Sequence, residues 1–324
     1  MTCRQWRAVL FVVLLGGLFA APAHAEWFFT IVGDSREDYR RAQVFPEMIK
    51  EINQTVWKIK DQEVRPEFLL HLGDFEYRRG SRESLERFKD RLSRLNVKAY
   101  VARGNYELVE QRGSFFKLPS IHKILKDNQD FSREYLSFFD LKETYYSFDQ
   151  RDLHIVVLDN SIGTFQVKSG EEVRSEQLAW LARDLEETAR KVQAGQIRHT
   201  IICAHMPLPS PSPSITTHDM LEYVSKHYAE GRVLADESAK IFWEILEKNK
   251  EKSRIRRLFF SHDHRYVSYQ QRGFPVTITA GGGAPLEEEE RGGFYHYLQI
   301  LVNEQEIRER IIKVFPPSKK ATRD

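Results

Sequence analysis

Cysteine is nearly missing: the chain has 324 residues and two Cys, and Cys3 lies in an N-terminal leader. Cys203 is left without a partner, so no internal disulfide staples the fold, although export would permit one. Inside Ile201-Ile202-Cys203 it reads as a small buried hydrophobe. Nothing at readable spacing supplies the base and orienter a nucleophilic thiol needs. An excess of one charge is missing too. Lys and Arg number 49 against 47 Asp and Glu, and the leader removes two basic residues and no acidic ones. That balance lacks the basic excess of a nucleic-acid binder. No internal repeat is evident. The glycines at Gly281-Gly282-Gly283 open no helix and lack a following Lys-Ser/Thr, which excludes a nucleotide P-loop.

After the leader there is no long apolar run either. Residues 1–25 carry Arg4 and Arg7, an apolar stretch from Ala8 to Ala21, and then Ala23-His24-Ala25, the A-x-A form of a signal-peptidase site. The stretch is short for a span of roughly 20 residues. We therefore expect a signal peptide over 1–25, one domain over 26–315 and a C-terminal tail over 316–324. The expected product is periplasmic or secreted and free of the membrane once cleaved.

What the chain does have is a series of polar residues at the ends of apolar runs. Gly33-Asp34-Ser35-Arg36 follows Trp27 to Val32, and Gly73-Asp74-Phe75-Glu76-Tyr77 follows Phe68 to Leu72. Gly104-Asn105-Tyr106-Glu107 follows Val97 to Val101, Ala204-His205 follows Ile201 to Cys203, and Ser261-His262-Asp263-His264 follows Leu258 to Phe260. Short apolar runs bounded by Gly read as buried strands. In open α/β sheets, ligands bind beyond the carboxyl ends of the strands, so five such loops can meet at one place. A carboxylate can bridge two cations, imidazole suits transition metals, and Asn or Tyr oxygen fills harder positions. Any one segment alone would be an ordinary cap. Five in succession make Asp34, Asp74, Tyr77, Asn105, His205, His262 and His264 candidate metal ligands.

On these motifs the chain resembles the calcineurin-like metallophosphoesterase superfamily, and its ligand pattern is similar to that of the purple acid phosphatases. The resemblance covers Trp27 to about Phe315. It implies a metal site of Asp34, Asp74, Tyr77 and His264 and a second of Asp74, Asn105, His205 and His262, with Asp74 bridging. It further implies two divalent or trivalent ions (Fe, Zn or Mn), a hydroxide between them that attacks phosphorus, and a small-molecule phosphate ester or phosphoprotein as substrate. Three departures stand out. Tyr106 replaces the family's catalytic His, and a phenol near pKa 10 is a poorer proton shuttle than imidazole. Arg36 stands where many relatives have a His ligand, and Ser261 where Gly is usual.

Four residues remain as catalytic candidates. Tyr106, aided by Glu107, would meet the leaving oxygen. Arg36 either clamps a phosphate oxygen with its planar fork or pairs with Glu37, Asp38 or Glu107. His218, in the stretch from Pro207 to Gly231, either replaces the missing proton donor or is a surface His. Arg103 reads as a structural ion pair. The competing reading is a pseudoenzyme that keeps the ligands to bind metal or phosphate without turnover.

Spacing predicts helices over Arg40–Lys60, Ser84–Leu95, Ser175–Val192 and Ser238–Lys250, with Leu178, Leu181 and Leu185 as the clearest stripe. Strands are expected at Arg265–Gln271, Pro275–Ala280, Tyr295–Val302 and Ile307–Val314. The stretch before Ser175 reads as less regular, with a helical subcore expected in Arg112–Asp140. Strands alternating with helices early and clustering late predict two packed sheets flanked by helices. The resemblance sharpens this to an α/β four-layer α/β/β/α sandwich.

Overall fold

Side chains of successive strand residues point to opposite faces, and here that alternation sorts the core into three layers. The computed structural model describes residues 26–36, 44–59, 61–75, 81–107, 132–161, 165, 175–208 and 229–315. The leader, the tail, Tyr77 and His218 lie outside them. In β1 (Trp27–Val32), Trp27, Phe29 and Ile31 face one way and Val32 the other. In β4 (Phe68–His71) Phe68 and Leu70 join the first group, while Leu69 joins Val32.

These strands belong to a five-stranded sheet in the order β13 (Ile307–Lys313), β12 (His296–Val302), β1, β4, β5 (Lys98–Val101). A six-stranded sheet runs β10 (Tyr266–Gln271), β11 (Phe274–Thr279), β9 (Ile255–Phe260), β8 (His199–Cys203), β7 (Leu153–Val157), β6 (Tyr146–Gln150). Ile155, Val157, Ile201, Cys203 and Phe259 from the second sheet meet the aromatic face of the first and form the middle core.

The outer faces take the helices. Val32, Leu69 and Val101 pack against Phe45, Met48 and Ile52 of α1 (Val44–Gln54) and Leu85 and Phe88 of α2 (Arg82–Leu92). On the other side, Val156, Ile202 and Leu258 pack against Leu178, Leu181 and Leu185 of α3 (Glu176–Gln193) and Phe242, Trp243 and Leu246 of α4 (Ala229–Asn249). Three apolar layers between four layers of secondary structure make the α/β/β/α sandwich. The Ser175 hydroxyl accepts from Leu178 N at 3.1 Å and starts α3 where the sequence places its cap.

Several boundaries differ from expectation. The first helix stops at Gln54, because the following Thr55-Val56-Trp57 favours extended backbone and Trp57–Ile59 (β2) pairs with Gln62–Val64 (β3). α4 begins at Ala229, which places Ser238, the expected start of this helix, inside it and buried. The stretch expected to be irregular contains the β6–β7 hairpin, whose turn residue Arg151 has φ +53°. No Gly marks that turn, so its usual signal is missing. Of the expected subcore, residues 132–139 are helical, and Tyr135 and Phe139 pack on Phe75.

β1, β4 and β5 are mutually parallel, as are β7, β8, β9 and β11. The carboxyl ends of β1, β4 and β5 carry Asp34, Asp74 and Asn105. Those of β8 and β9 carry His205, His262 and His264.

Candidate metal centre

The loops reach one place because their backbones brace one another. Asp34 N–H donates to Gly73 O at 3.0 Å, Gly282 N–H to Gly33 O at 2.9 Å and Ala284 N–H to Asp34 O at 2.9 Å. Asp34, Asp74 and His262 all have positive φ, at +57°, +57° and +72°. Non-glycine residues rarely adopt that region, and strain of this kind clusters at functional sites. The glycines beside them are forced by close approach. A Cβ on Gly104 would stand 2.4 Å from Asp74 N, and one on Gly33 would stand 1.8 Å from Ser261 Oγ.

Asp34 is held by Ser261, whose hydroxyl donates to Oδ2, and by His262 N–H, which donates to the same atom at 2.8 Å. The serine that stands where Gly is usual thus aims a carboxylate. Asp74 Oδ1 accepts from Tyr106 N–H at 2.9 Å and lies 3.3 Å from His205 Nε2. His205 Nδ1 must donate to Leu72 O at 2.7 Å, since a carbonyl only accepts, so the lone pair of this ring is at Nε2. That lone pair meets Asn105 Oδ1 at 3.0 Å and His262 Nδ1 at 3.2 Å, and His262 Nδ1 is itself 3.0 Å from Asn105 Oδ1. Ligand atoms of Asp74, His205 and His262 all fall within 4.8 Å of one another.

Electrostatics match the geometry. Burial, reinforced by the neighbouring His205, pushes His262 down to about 3, so its ring is neutral at pH 7. Burial would raise Asp34, but its hydrogen bond to His264 and the neighbouring His205, His264 and Arg36 side chains hold it well below the usual carboxylate range. Burial raises Asp74 despite His205. Asp34 Oδ1 and Asp74 Oδ2 are buried with no well-directed hydrogen-bond donor. Buried carboxylate oxygens in that state call for a cation, and the Asp-Asn-His-His donor set suits a transition metal.

Residues 29–266 match the family model of calcineurin-like phosphoesterases. The chain belongs to that family. No curated protein matches the sequence. Among solved structures it is similar to a purple acid phosphatase from yellow lupin (Lupinus luteus) seeds, with TM-score 0.57 and 17% identity over 90% of this chain and 53% of that one. It is also similar to GAP50, the anchor in the inner membrane complex of Plasmodium, with TM-score 0.59 and 9% identity over 89% of this chain and 85% of that one. At these identities the likeness establishes the fold. The chain spans about half the length of the lupin protein.

Within this calcineurin-like phosphoesterase, six of the seven ligand candidates converge at the carboxyl edge, and Tyr77 lies outside the described residues. Glu107 does not face a leaving group. Its Oε2 accepts from Asp74 N–H and Gly104 N–H and its Oε1 from Phe75 N–H, each at 2.8 Å. It is a clamp between two ligand loops. Burial, together with the Asp74 charge, pushes its pKa up to about 7. Nor does Arg36 pair with Glu107: its Nε lies 3.1 Å from Asp74 Oδ2, its Nη2 lies 2.7 Å from His264 Nε2, and its guanidinium stacks on Tyr106 at 3.8 Å. Glu37 and Asp38 are outside the described residues, as is His218. Arg103 is buried between Asp159 Oδ2 at 3.6 Å and Ser132 Oγ at 2.9 Å, as a structural cation.

Sequence reading missed two supports. Asn160 donates its Nδ2–H to Met206 O at 2.7 Å, and its Oδ1 accepts from Met206 N–H at 3.0 Å, fixing the chain just after His205. It follows β7 as the ligands follow their strands, and was passed over because β7 was. His71, at the end of β4, contacts Ser35 Oγ at 2.9 Å and accepts from Gly73 N–H at 3.2 Å.

Proposed function

We propose that this calcineurin-like phosphoesterase is an exported, metal-dependent hydrolase of phosphate esters. One observation carries the reading. The ligand atoms of Asp74, His205 and His262 lie within 4.8 Å of one another, with Asn105 Oδ1 3.0 Å from both imidazoles, at an edge where both sheets present their strand ends. Asp74, Asn105, His205 and His262 would hold one ion. Asp34, Asp74, His264 and Tyr77 are the residues the family resemblance assigns to a second. A bound ion supplies Lewis acidity at a phosphoryl oxygen and lowers the pKa of a water.

The protein's own residues do the positioning. Leu72 O fixes the His205 tautomer, Ser261 and His262 N–H aim Asp34, and Glu107 ties the Asp74 loop to the Asn105 loop. Arg36 supplies a fork that suits a phosphate oxygen. The Tyr106 phenol is the candidate donor to the leaving oxygen. Substrates are phosphate esters of small molecules or of phosphoproteins. Export rests on the leader over residues 1–25. Among the described residues no helix is long and apolar enough to cross a membrane.

A second reading, metal or phosphate binding without turnover, is favoured by the Tyr106 replacement. The test is a phosphoester panel assayed across pH, with metal analysis, on wild type, Asp74→Asn and Tyr106→His. We expect wild type to prefer esters with good leaving groups, Asp74→Asn to lose metal and activity, and Tyr106→His to narrow the gap to alkyl esters by up to the roughly 10²–10⁴-fold of a positioned general acid. Inertness of both wild type and Tyr106→His toward every ester, with metal bound normally, would replace the catalytic reading by the binding one.

A further inference from the structure

Two of the atoms that the second ion would need, Asp74 Oδ2 and His264 Nε2, already face a cation belonging to the chain. We infer that Arg36 takes the place of that ion, so that the centre consists of one metal ion and one guanidinium. This rests on the reading that Asp74, Asn105, His205 and His262 hold a metal.

The contacts of Arg36 are the ones a metal would make. Its Nε lies 3.1 Å from Asp74 Oδ2, and its Nη2 lies 2.7 Å from His264 Nε2. His264 Nε2 also stands 3.2 Å from Asp34 Oδ1. This nitrogen has one lone pair. Either it accepts from Arg36, or it carries a proton toward Asp34. In the first case it is closed to a metal unless Arg36 moves, and in the second it must also lose that proton while Arg36 still stands 2.7 Å away. Metal–ligand bonds to His nitrogen and carboxylate oxygen are about 2.0–2.2 Å long, so an ion bound to both Asp74 Oδ2 and His264 Nε2 would sit against the guanidinium, like charge to like charge.

Arg36 is also held in place. Its side chain is 12% exposed, and the Tyr106 ring lies 3.8 Å beneath its guanidinium. Tyr106 N–H in turn donates to Asp74 Oδ1, which fixes the stacking residue to the carboxylate the guanidinium meets. Two departures from the family pattern thereby become one device: the Arg where a His ligand is usual, and the Tyr where the catalytic His is usual, stack on each other. A guanidinium has five N–H donors; here Nη2 turns to His264 and Nε faces Asp74 as an ion pair without hydrogen-bond alignment, so it can bridge to a phosphoryl oxygen as the second ion does in two-metal centres.

The test is Mn²⁺ stoichiometry on the purified chain, by equilibrium dialysis with elemental analysis. Wild type is expected to bind one equivalent and Arg36→Ala two. The added equivalent should vanish in Arg36→Ala/His264→Ala. Arg36→Lys, which keeps the charge, should stay at one. Lys240→Ala, at an exposed position on α4 away from the ligand loops, is the control and should retain one equivalent with an unchanged Kd, while circular dichroism of every variant guards against misfolding effects. Two equivalents in wild type, or one in both wild type and Arg36→Ala, overturns the inference while leaving the metal-dependent reading intact. No Mn²⁺ in any variant overturns that reading, and the inference with it.

Discussion

Two buried side chains, one away from the ligands and one clamping their loops, show how single residues hold this molecule together. His154 on β7 contacts Asp149 Oδ1 through Nδ1 at 2.6 Å and Asp184 Oδ2 through Nε2 at 2.9 Å, joining the β6–β7 hairpin to α3. Burial alone would lower its pKa, but the hydrogen bonds and charges of Asp184 and Asp149 outweigh that and raise it above 6.5. A raised folded pKa means the stabilisation is fully present below the unfolded value of about 6.5 and is lost as pH rises through the folded value. Urea midpoints of wild type and His154→Gln should therefore converge as pH rises from about 6 upward, and a pH-independent difference would refute the assignment. Glu107 makes a second case. Its two oxygens take three backbone N–H groups, whereas a Gln amide turns a donor toward at least one of them. Glu107→Gln should cost roughly 1–3 kcal/mol in chemical denaturation, and it should weaken metal binding, because the clamp joins the Asp74 and Asn105 loops. A catalytic acid lost without any change in stability or metal affinity would be the opposite result.

At the scale of elements, α3 is the best test of why the fold was readable. Its Leu178, Leu181 and Leu185 stripe repeats at three-and-four spacing after the Ser175 cap, and each Leu is buried on the outer face of the second sheet. Leu181→Ala should destabilise by roughly 2–5 kcal/mol through the cavity it leaves, and Ser175→Ala by about 1 kcal/mol, both measurable as shifts in urea midpoint at unchanged slope. The strands bearing ligands were legible for a related reason: each is an apolar run that ends in a Gly or small residue and then a polar one. The β10–β11 hairpin was legible because Gly273 (φ +77°) follows Arg272 (φ +49°) in its turn. The β6–β7 hairpin has no such glycine, and losing it hid Asn160. What remained illegible at the centre was partner choice. No spacing rule connects Arg36 to Tyr106 and His264, or Glu107 to the backbone of Asp74, because these contacts exist only once parallel strands from distant segments align.

On the scale of the molecule, the candidate metal centre is a cross-link. Asp74 and Asn105 extend from the first sheet and His205 and His262 from the second, so an ion held by all four ties the two sheets together at the open edge of the middle core. Without an ion, Asp34 Oδ1 and Asp74 Oδ2 are buried carboxylate oxygens that face His264 and Arg36 without a well-directed hydrogen bond. Binding to the folded state alone stabilises by RT ln(1 + [L]/Kd), about 2.7 kcal/mol at a hundredfold excess over Kd. In a domain of this size that corresponds to a Tm rise of roughly 5–10 °C. Chelation should therefore lower the Tm by such an amount and metal addition should restore it, with the shift growing as the logarithm of metal concentration. The variants separate cross-linking from general ion effects. His205→Ala, which removes a ligand on the second sheet, should abolish the shift, while Lys250→Ala, distant at the β10–β11 turn, should leave it intact. A shift that persists in His205→Ala would mean that the stabilising ion binds elsewhere.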